Sequence, residues 1–233
     1  IYDSKEALSV IKREVMDHYE YRKKTYAVER MGYLLEKINT KESEIRLLDV
    51  GCGQGYFIEY LKDRGIYYKG LDFSDLYIEI CKERKLNAEK TDVINEPNEH
   101  YNIITLFDVL EHLRDPIVMF KVLNQKLTKG GHVLVYTPHI HSVAFLLMQG
   151  LQNNLYPFAH LCFFDQDSLN YLAEKTGFKV KSIEYCGIDI IDYFCMKKYE
   201  DGFDYLDKLA KFIPVIQAII DKQKIGNHLR VVF

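Results

Sequence analysis

The chain has no tryptophan, only five prolines and only five cysteines in 233 residues. The cysteines (Cys52, Cys81, Cys162, Cys186 and Cys195) are odd in number and irregularly spaced, and no CxxC pair occurs. That argues against a zinc module and a disulfide scaffold, and points to reduced thiols in the cytoplasm. No stretch approaches the ~18 consecutive apolar residues of a membrane helix. The most apolar helical segment, Val143–Met148, is far too short. The first ten residues, IYDSKEALSV, lack the basic-then-apolar pattern of a secretory signal. There is no excess of one charge: 31 Lys+Arg stand against 34 Asp+Glu, a net charge of −3. The overall electrostatic footprint of a general nucleic-acid binder is therefore missing. Internal repeats and low-complexity linkers are absent too.

What is there is ordinary globular composition, 48% apolar and 28% charged, enough for a sizeable core. Tyrosine (18) and phenylalanine (13) are in excess. Such aromatics either fill a core or line an amphipathic cleft. From Ile45 onward, short apolar runs alternate with segments of helical period, the pattern of a parallel sheet with crossover helices. The runs predict strands at 45–50, 66–71, 88–91, 101–107, 132–137, 178–185 and 228–233. Helices are expected at 56–64, closed by Gly65, and from Ser74 to about Lys85, with Leu76, Ile80 and Cys81 on one face. Asp115-Pro116 reads as an N-cap followed by proline at the first helical position, opening a helix that ends in Gly130-Gly131. Asp165 or Asp167 opens another, ended by Gly177. Two helical segments flank this alternation. Residues 3–39 carry Met31, Leu34, Leu35 and Ile38 at helical spacing, and 187–226 holds a helix pair around Pro214. The second segment reads equally as a lid over a cleft and as extra core cover or a dimer surface.

The strongest chemical signal is Asp49-Val-Gly51-Cys52-Gly53-Gln-Gly55, set between a strand and a helix. Glycines there let the chain turn tightly and let a ligand approach the main chain, while the helix N-terminus offers free N–H groups. A dinucleotide fingerprint needs glycine at position 56, where this chain has Tyr56. Asp72 ends the second strand, where an acid accepts hydrogen bonds from ribose hydroxyls, and Phe73 beside it can pack on a flat base. Asp92 and Val93 follow the third strand as a polar–apolar pair suited to flank adenine.

The ordered series LLDVGCGQGYF, GLDFS, TDV, FDVLEHLRDP and LTKGGHVLVYTP resembles that of class I S-adenosylmethionine-dependent methyltransferases, over roughly residues 45–185. The resemblance implies a Rossmann-like, doubly wound α/β fold. Its sheet has seven strands with the last antiparallel, N-terminal helices, and a helical insert before the last strand. It implies one methyltransferase domain over 1–233, divided into an N-terminal helical cap (1–44), a cofactor core (45–186), an insert or lid (187–226) and a last strand (227–233). It implies S-adenosylmethionine as cofactor and S-adenosylhomocysteine as product. Asp49, Gly51, Cys52, Gly53, Gly55, Asp72, Phe73, Asp92, Val93, Phe107, Asp108 and His112 would surround that cofactor. Phe107 and Asp108 are expected near the sulfonium.

FDVLEHLRDP with Thr137-Pro138 is similar to the subgroup of quinone-precursor, sugar and natural-product O-methyltransferases. There a downstream histidine precedes the next helix, here His160, the first choice for a general base, with His112 as a second catalytic candidate. Imidazole suits proton abstraction near neutrality. Asp108, Glu111, His112 and His160 also resemble the metal site of RNA 3′-end methyltransferases, so Mg2+ is a second, less favoured reading. His139 and His141 are candidates for substrate contact or base, or else solvated loop residues. The basic pairs Lys12-Arg13 and Arg22-Lys23-Lys24 read as solvated helix faces, with Arg22 a candidate for the cofactor carboxylate. Cys52 reads as a packing residue. The favoured function is O-methylation of a small hydroxylated metabolite or sugar or glycan precursor. The alternatives are a metal-dependent RNA 2′-O-methyltransferase, disfavoured by the charge balance, and a catalytically silent partner subunit.

Overall fold

Leu47, Leu48 and Val50 present apolar side chains to both faces of one strand, which suits the middle of a parallel sheet. In the computed structural model they form β1 (Arg46–Val50), with Leu47 and Leu48 fully buried. The structure describes residues 18–152, 154–155, 159–202 and 206–233. Residues 3–17 of the expected N-terminal helix, including Lys12-Arg13, lie outside the described residues, as do Tyr156 and Phe158. β2 (Tyr67–Leu71) and β4 (Tyr101–Phe107) pair in parallel with β1 on either side. Val50 stands opposite both Leu71 and Leu106, so the loops after these three strands leave the sheet at one level. β3 (Ala88–Glu89) pairs beside β2. With β5 (Leu127–Pro138), β6 (Ser182–Cys186) and β7 (His228–Val232), the sheet order is β3-β2-β1-β4-β5-β7-β6, and β7 runs antiparallel to β6. This is the Rossmann-like seven-stranded arrangement expected from the sequence.

Ten α-helices are formed by the described residues. They are α1 (Tyr19–Lys24), α2 (Tyr26–Lys37), α3 (Tyr56–Asp63), α4 (Asp75–Glu83), α5 (Pro116–Lys126), α6 (Val143–Met148), α7 (Gln166–Thr176), α8 (Asp189–Asp201), α9 (Leu206–Leu209) and α10 (Ile213–Lys222). The capping signals act as expected. The Ser74 hydroxyl accepts from the Tyr77 N–H, Asp115 accepts from the Val118 N–H, and Gly177 ends α7 in the left-handed region. Of the two acids before α7, Asp165 is the N-cap, in a reciprocal box with Ser168.

Two strand starts differ from expectation by four or five residues. Gly130-Gly131 does not end a helix but lies inside β5, which starts at Leu127. Gly130 has φ +77°, and a Cβ on Gly131 would come within 2.9 Å of the Asn102 carbonyl, so the glycines permit a close approach to β4. β6 starts at Ser182 rather than Phe178. The Phe178 N–H closes the end of α7 on the Ala173 carbonyl, and its ring packs against Phe120 and Phe233.

The chain forms two compact units, Ile1–Phe107 with Val122–Leu134, and Asp108–Lys121 with Val135–Phe233. The first holds α1–α4 and β1–β4. Its core joins the buried face of α3 (Phe57, Ile58, Leu61) to the sheet, and each such side chain contributes about 1.5–3 kcal/mol on burial. The second holds α6–α10, β6 and β7. There, buried Asp189 at the start of α8 accepts from the Ala144 N–H, the Asn227 N–H and the Gln217 amide. One carboxylate thus ties α6, α8, α10 and the start of β7 together.

Candidate functional site

The glycine loop lies in the first unit. Gly51, Gly53 and Gly55 all take positive φ (+76°, +54° and +87°), which a Cβ would strain. Gly53 faces open space, with nothing within 4 Å of a Cβ built there, whereas one on Gly55 would meet Leu86 at 2.6 Å and Cys81 at 2.8 Å. So Gly53 leaves room for a ligand and Gly55 allows close packing of α3's start. Asp72 fixes the loop: one carboxylate oxygen accepts from the Gly53 N–H at 2.9 Å and the other from the Ser74 N–H at 2.8 Å. Each oxygen keeps a further lone pair. Next to it the Phe73 ring is 67% exposed, an apolar surface without cover.

Asp49 lies buried beneath the loop and accepts from the Thr105 hydroxyl at 2.6 Å. Burial pushes its pKa up to about 7, against the opposing pull of that hydrogen bond and of Arg30. Asp92 is exposed and caps its own short turn at the Ile94 N–H, while Val93 is buried. The exposed apolar neighbour there is Ile94 rather than Val93. Cys52 directs its thiol into the core with Ile58, Ile78, Cys81 and Leu86, and its N–H bonds the Leu71 carbonyl. All five cysteines are free thiols.

Arg30 is a buried cation that motif reading does not single out. It lies on the buried face of α2, donates to the Tyr56 hydroxyl, and sits 4.2 Å from the centre of the Phe107 ring. Phe107 in turn meets Phe57 edge-on at 5.0 Å. Arg22, the expected cation, is on the preceding helix. Lys23 is not a solvated face but pairs with Glu59 (3.1 Å) and Asp63 (2.5 Å). A signal for Arg30 was present: it falls among Ala27, Met31 and Leu34, in the middle of an apolar stripe where an unused cation would be costly.

The second unit gathers Glu111, His112 and His160. The main chain of 159–162 runs against the turn at 110–112: the Leu161 and Cys162 N–H groups both bond the Glu111 carbonyl, and His112 Nδ1 donates to the Ala159 carbonyl at 2.8 Å. His160 Nδ1 donates to the Asn154 carbonyl at 2.6 Å. A carbonyl only accepts, so each ring donates through a protonated Nδ1. The two rings are 4.8 Å apart. One ligand atom from each of the three residues lies within 4.8 Å of the others. Glu111 is 1% exposed and accepts from the Thr137 hydroxyl at 3.0 Å. Burial, helped by the charge of Asp108, pushes its pKa up to about 8.

Asp108, the fourth member of the expected metal cluster, stands outside this trio, with its carboxylate 3.9 Å from His228 Nε2. It adopts φ +56°, a left-handed conformation that aspartate tolerates. His139 is not a solvated loop residue but is 3% exposed, donating Nδ1–H to the Gly226 carbonyl at 3.0 Å. Burial lowers its pKa. His141 is exposed and lies 3.4 Å from the Asp165 carboxylate.

Three likenesses bear on this geometry. The family described as a methyltransferase domain matches residues 16–183. The ubiquinone biosynthesis O-methyltransferase of Vibrio cholerae serotype O1 is 31% identical over 117 residues, 46% of this chain and 47% of that protein. The chain thus aligns with about half the length of that curated relative. Among solved structures, an S-adenosylmethionine-dependent methyltransferase from Archaeoglobus fulgidus superposes with a TM-score of 0.62 at 21% identity, covering 94% of this chain and 98% of the other. Phosphoethanolamine N-methyltransferase 2 of Haemonchus contortus, solved with S-adenosyl-L-methionine, reaches 0.59 at 17% identity over 88% and 51%. These structural likenesses concern the fold, and no helix among the described residues is long and apolar enough to cross a membrane. With the family match over most of its length and the seven-stranded fold in place, the chain belongs to the class I S-adenosylmethionine-dependent methyltransferases.

Proposed function

We propose that the chain transfers the methyl group of S-adenosylmethionine to a hydroxyl oxygen of a small cytoplasmic metabolite, such as a phenol, a sugar or a glycan precursor. The observation that carries this reading is the His112–His160 pair, two imidazoles 4.8 Å apart whose Nδ1–H groups are held by carbonyls, so that Nε2 is the nitrogen of each ring that could take a proton. An amine that is already neutral needs no such base, whereas a hydroxyl does. The match to an O-methyltransferase points the same way.

The residues of the first unit fit the cofactor. The open position at Gly53, the Asp72 carboxylate with lone pairs to accept ribose hydroxyls, and the uncovered Phe73 ring suit loop, ribose and adenine. Arg30 supplies a cation for the amino-acid carboxylate. The cofactor's sulfonium supplies an already activated methyl group. The task of the protein would be to orient the acceptor and remove its proton, and His160 Nε2 would take the hydroxyl proton. Glu111, neutral beside the pair, puts no negative charge against the incoming alkoxide.

A second reading is favoured by the same trio, because one carboxylate and two imidazoles within 4.8 Å suit a divalent cation. Such an ion would supply Lewis acidity to an acceptor hydroxyl and would require Glu111 to be ionised. Transfer of labelled methyl to a panel of catechols and sugars, before and after chelation, tests both readings. Activity indifferent to chelation supports the base; activity lost on chelation and restored by a divalent ion supports the metal. No transfer to any hydroxyl together with transfer to an amine contradicts O-methylation.

A further inference from the structure

Tyr56 occupies the place where a dinucleotide-binding GxGxxG loop has its last glycine. Its side chain reaches α2, where the hydroxyl accepts an N–H from Arg30. The next residue, Phe57, holds the Phe107 ring edge-on, and that ring stacks under the same guanidinium. Two consecutive residues of α3's first turn therefore fix Arg30 from two directions, one through a hydrogen bond and one through a ring. α3 begins at Gly55, so this support is continuous with the glycine loop. One turn further on, Glu59 ties down the preceding helix as well. It accepts from Arg84 at 3.2 and 2.8 Å and pairs with Lys23 of α1. The helix that starts the loop thus also docks the cap that carries the cation.

A guanidinium pairs with a carboxylate through a planar fork, so its orientation decides whether one or two hydrogen bonds form. We propose that Tyr56 is a positioning residue: its hydroxyl sets the plane of the Arg30 guanidinium against the glycine loop and so gives the site its selectivity for a cofactor bearing an amino-acid carboxylate. This rests on the reading that the first unit seats S-adenosylmethionine. Removing the hydroxyl keeps the ring and the charge and takes away the bond that sets the aim.

The test is calorimetric titration of the full chain and its Tyr56→Phe variant with S-adenosylmethionine and with decarboxylated S-adenosylmethionine, which lacks the carboxylate. The expected result is a Kd for S-adenosylmethionine raised about tenfold, the size of one charge-assisted hydrogen bond. The decarboxylated compound should change by less than about twofold, and kcat at saturating cofactor should hold. Arg30→Lys, which keeps charge but not the fork, should reproduce the selective loss. Equal weakening of both compounds, or an unchanged Kd for S-adenosylmethionine, overturns the positioning role while leaving the cofactor reading intact. A wild-type chain that binds neither compound overturns the cofactor reading, and this inference with it.

Discussion

Glu111 and Asp72 show how differently one functional group behaves in two settings. Glu111 is out of water with one hydroxyl partner, so its proton stays on at neutral pH. Asp72 is given two backbone N–H donors and serves as a fixed acceptor. Asp72→Ala removes the loop anchor and, with it, the proposed ribose acceptor. Cofactor affinity should fall by at least about tenfold, since each factor of ten is about 1.4 kcal/mol, and calorimetry measures it. His160→Ala should leave cofactor affinity unchanged and lower turnover by about 10²–10⁴-fold at saturating acceptor, the usual range for a lost general base. Unchanged turnover there would remove His160 from the chemistry. The contrast between the two variants separates cofactor seating from proton removal.

At the scale of elements, the caps are local and were readable in the sequence. Asp165→Ala breaks the reciprocal box at the start of α7 and should cost about 0.5–2 kcal/mol of stability, measured by denaturant unfolding, with cofactor affinity unaffected. The same locality explains what was legible. β4 and α6 fall where their apolar runs place them, and the glycine loop and its acids stand at the strand ends that the motif spacing indicates. Elements set by distant neighbours were not legible. The Gly130-Gly131 pair reads as a helix stop because nothing in its neighbourhood shows that Asn102, in another strand, must be approached closely. Arg30 went unread because its role comes from Tyr56 and Phe107, both far along the chain. The Glu111–His112–His160 trio was half legible: the residue types were clear, but only the folded path of 159–162 excludes Asp108 and brings His160 in.

For the molecule as a whole, the buried carboxyls make folding stability depend on pH. The folded pKa values of Asp49 (about 7) and Glu111 (about 8) stand above their ordinary values of 3.8 and 4.5. Between those limits the folded state binds more protons than the unfolded one, so stability falls as pH rises. Their contribution is fully present below about pH 4 and lost progressively up to about pH 8. Glu111→Gln keeps the shape without the titration. Its Tm should fall less steeply than that of the wild type between pH 6 and 8, and parallel Tm curves would contradict this assignment. The same neutral carboxyl links stability to the site, because a bound divalent ion would displace its proton and raise Tm at pH 7.

The proposed division of labour is that a histidine pair removes the acceptor's proton while the glycine-loop unit holds the cofactor. It is tested most directly by following labelled methyl transfer to a catechol panel with the wild type and with His160→Ala, at saturating S-adenosylmethionine and acceptor. The expected product is labelled on oxygen, with turnover reduced about 10²–10⁴-fold in the variant and cofactor Kd unchanged. Label on nitrogen alone, or equal turnover by the two proteins, would contradict it.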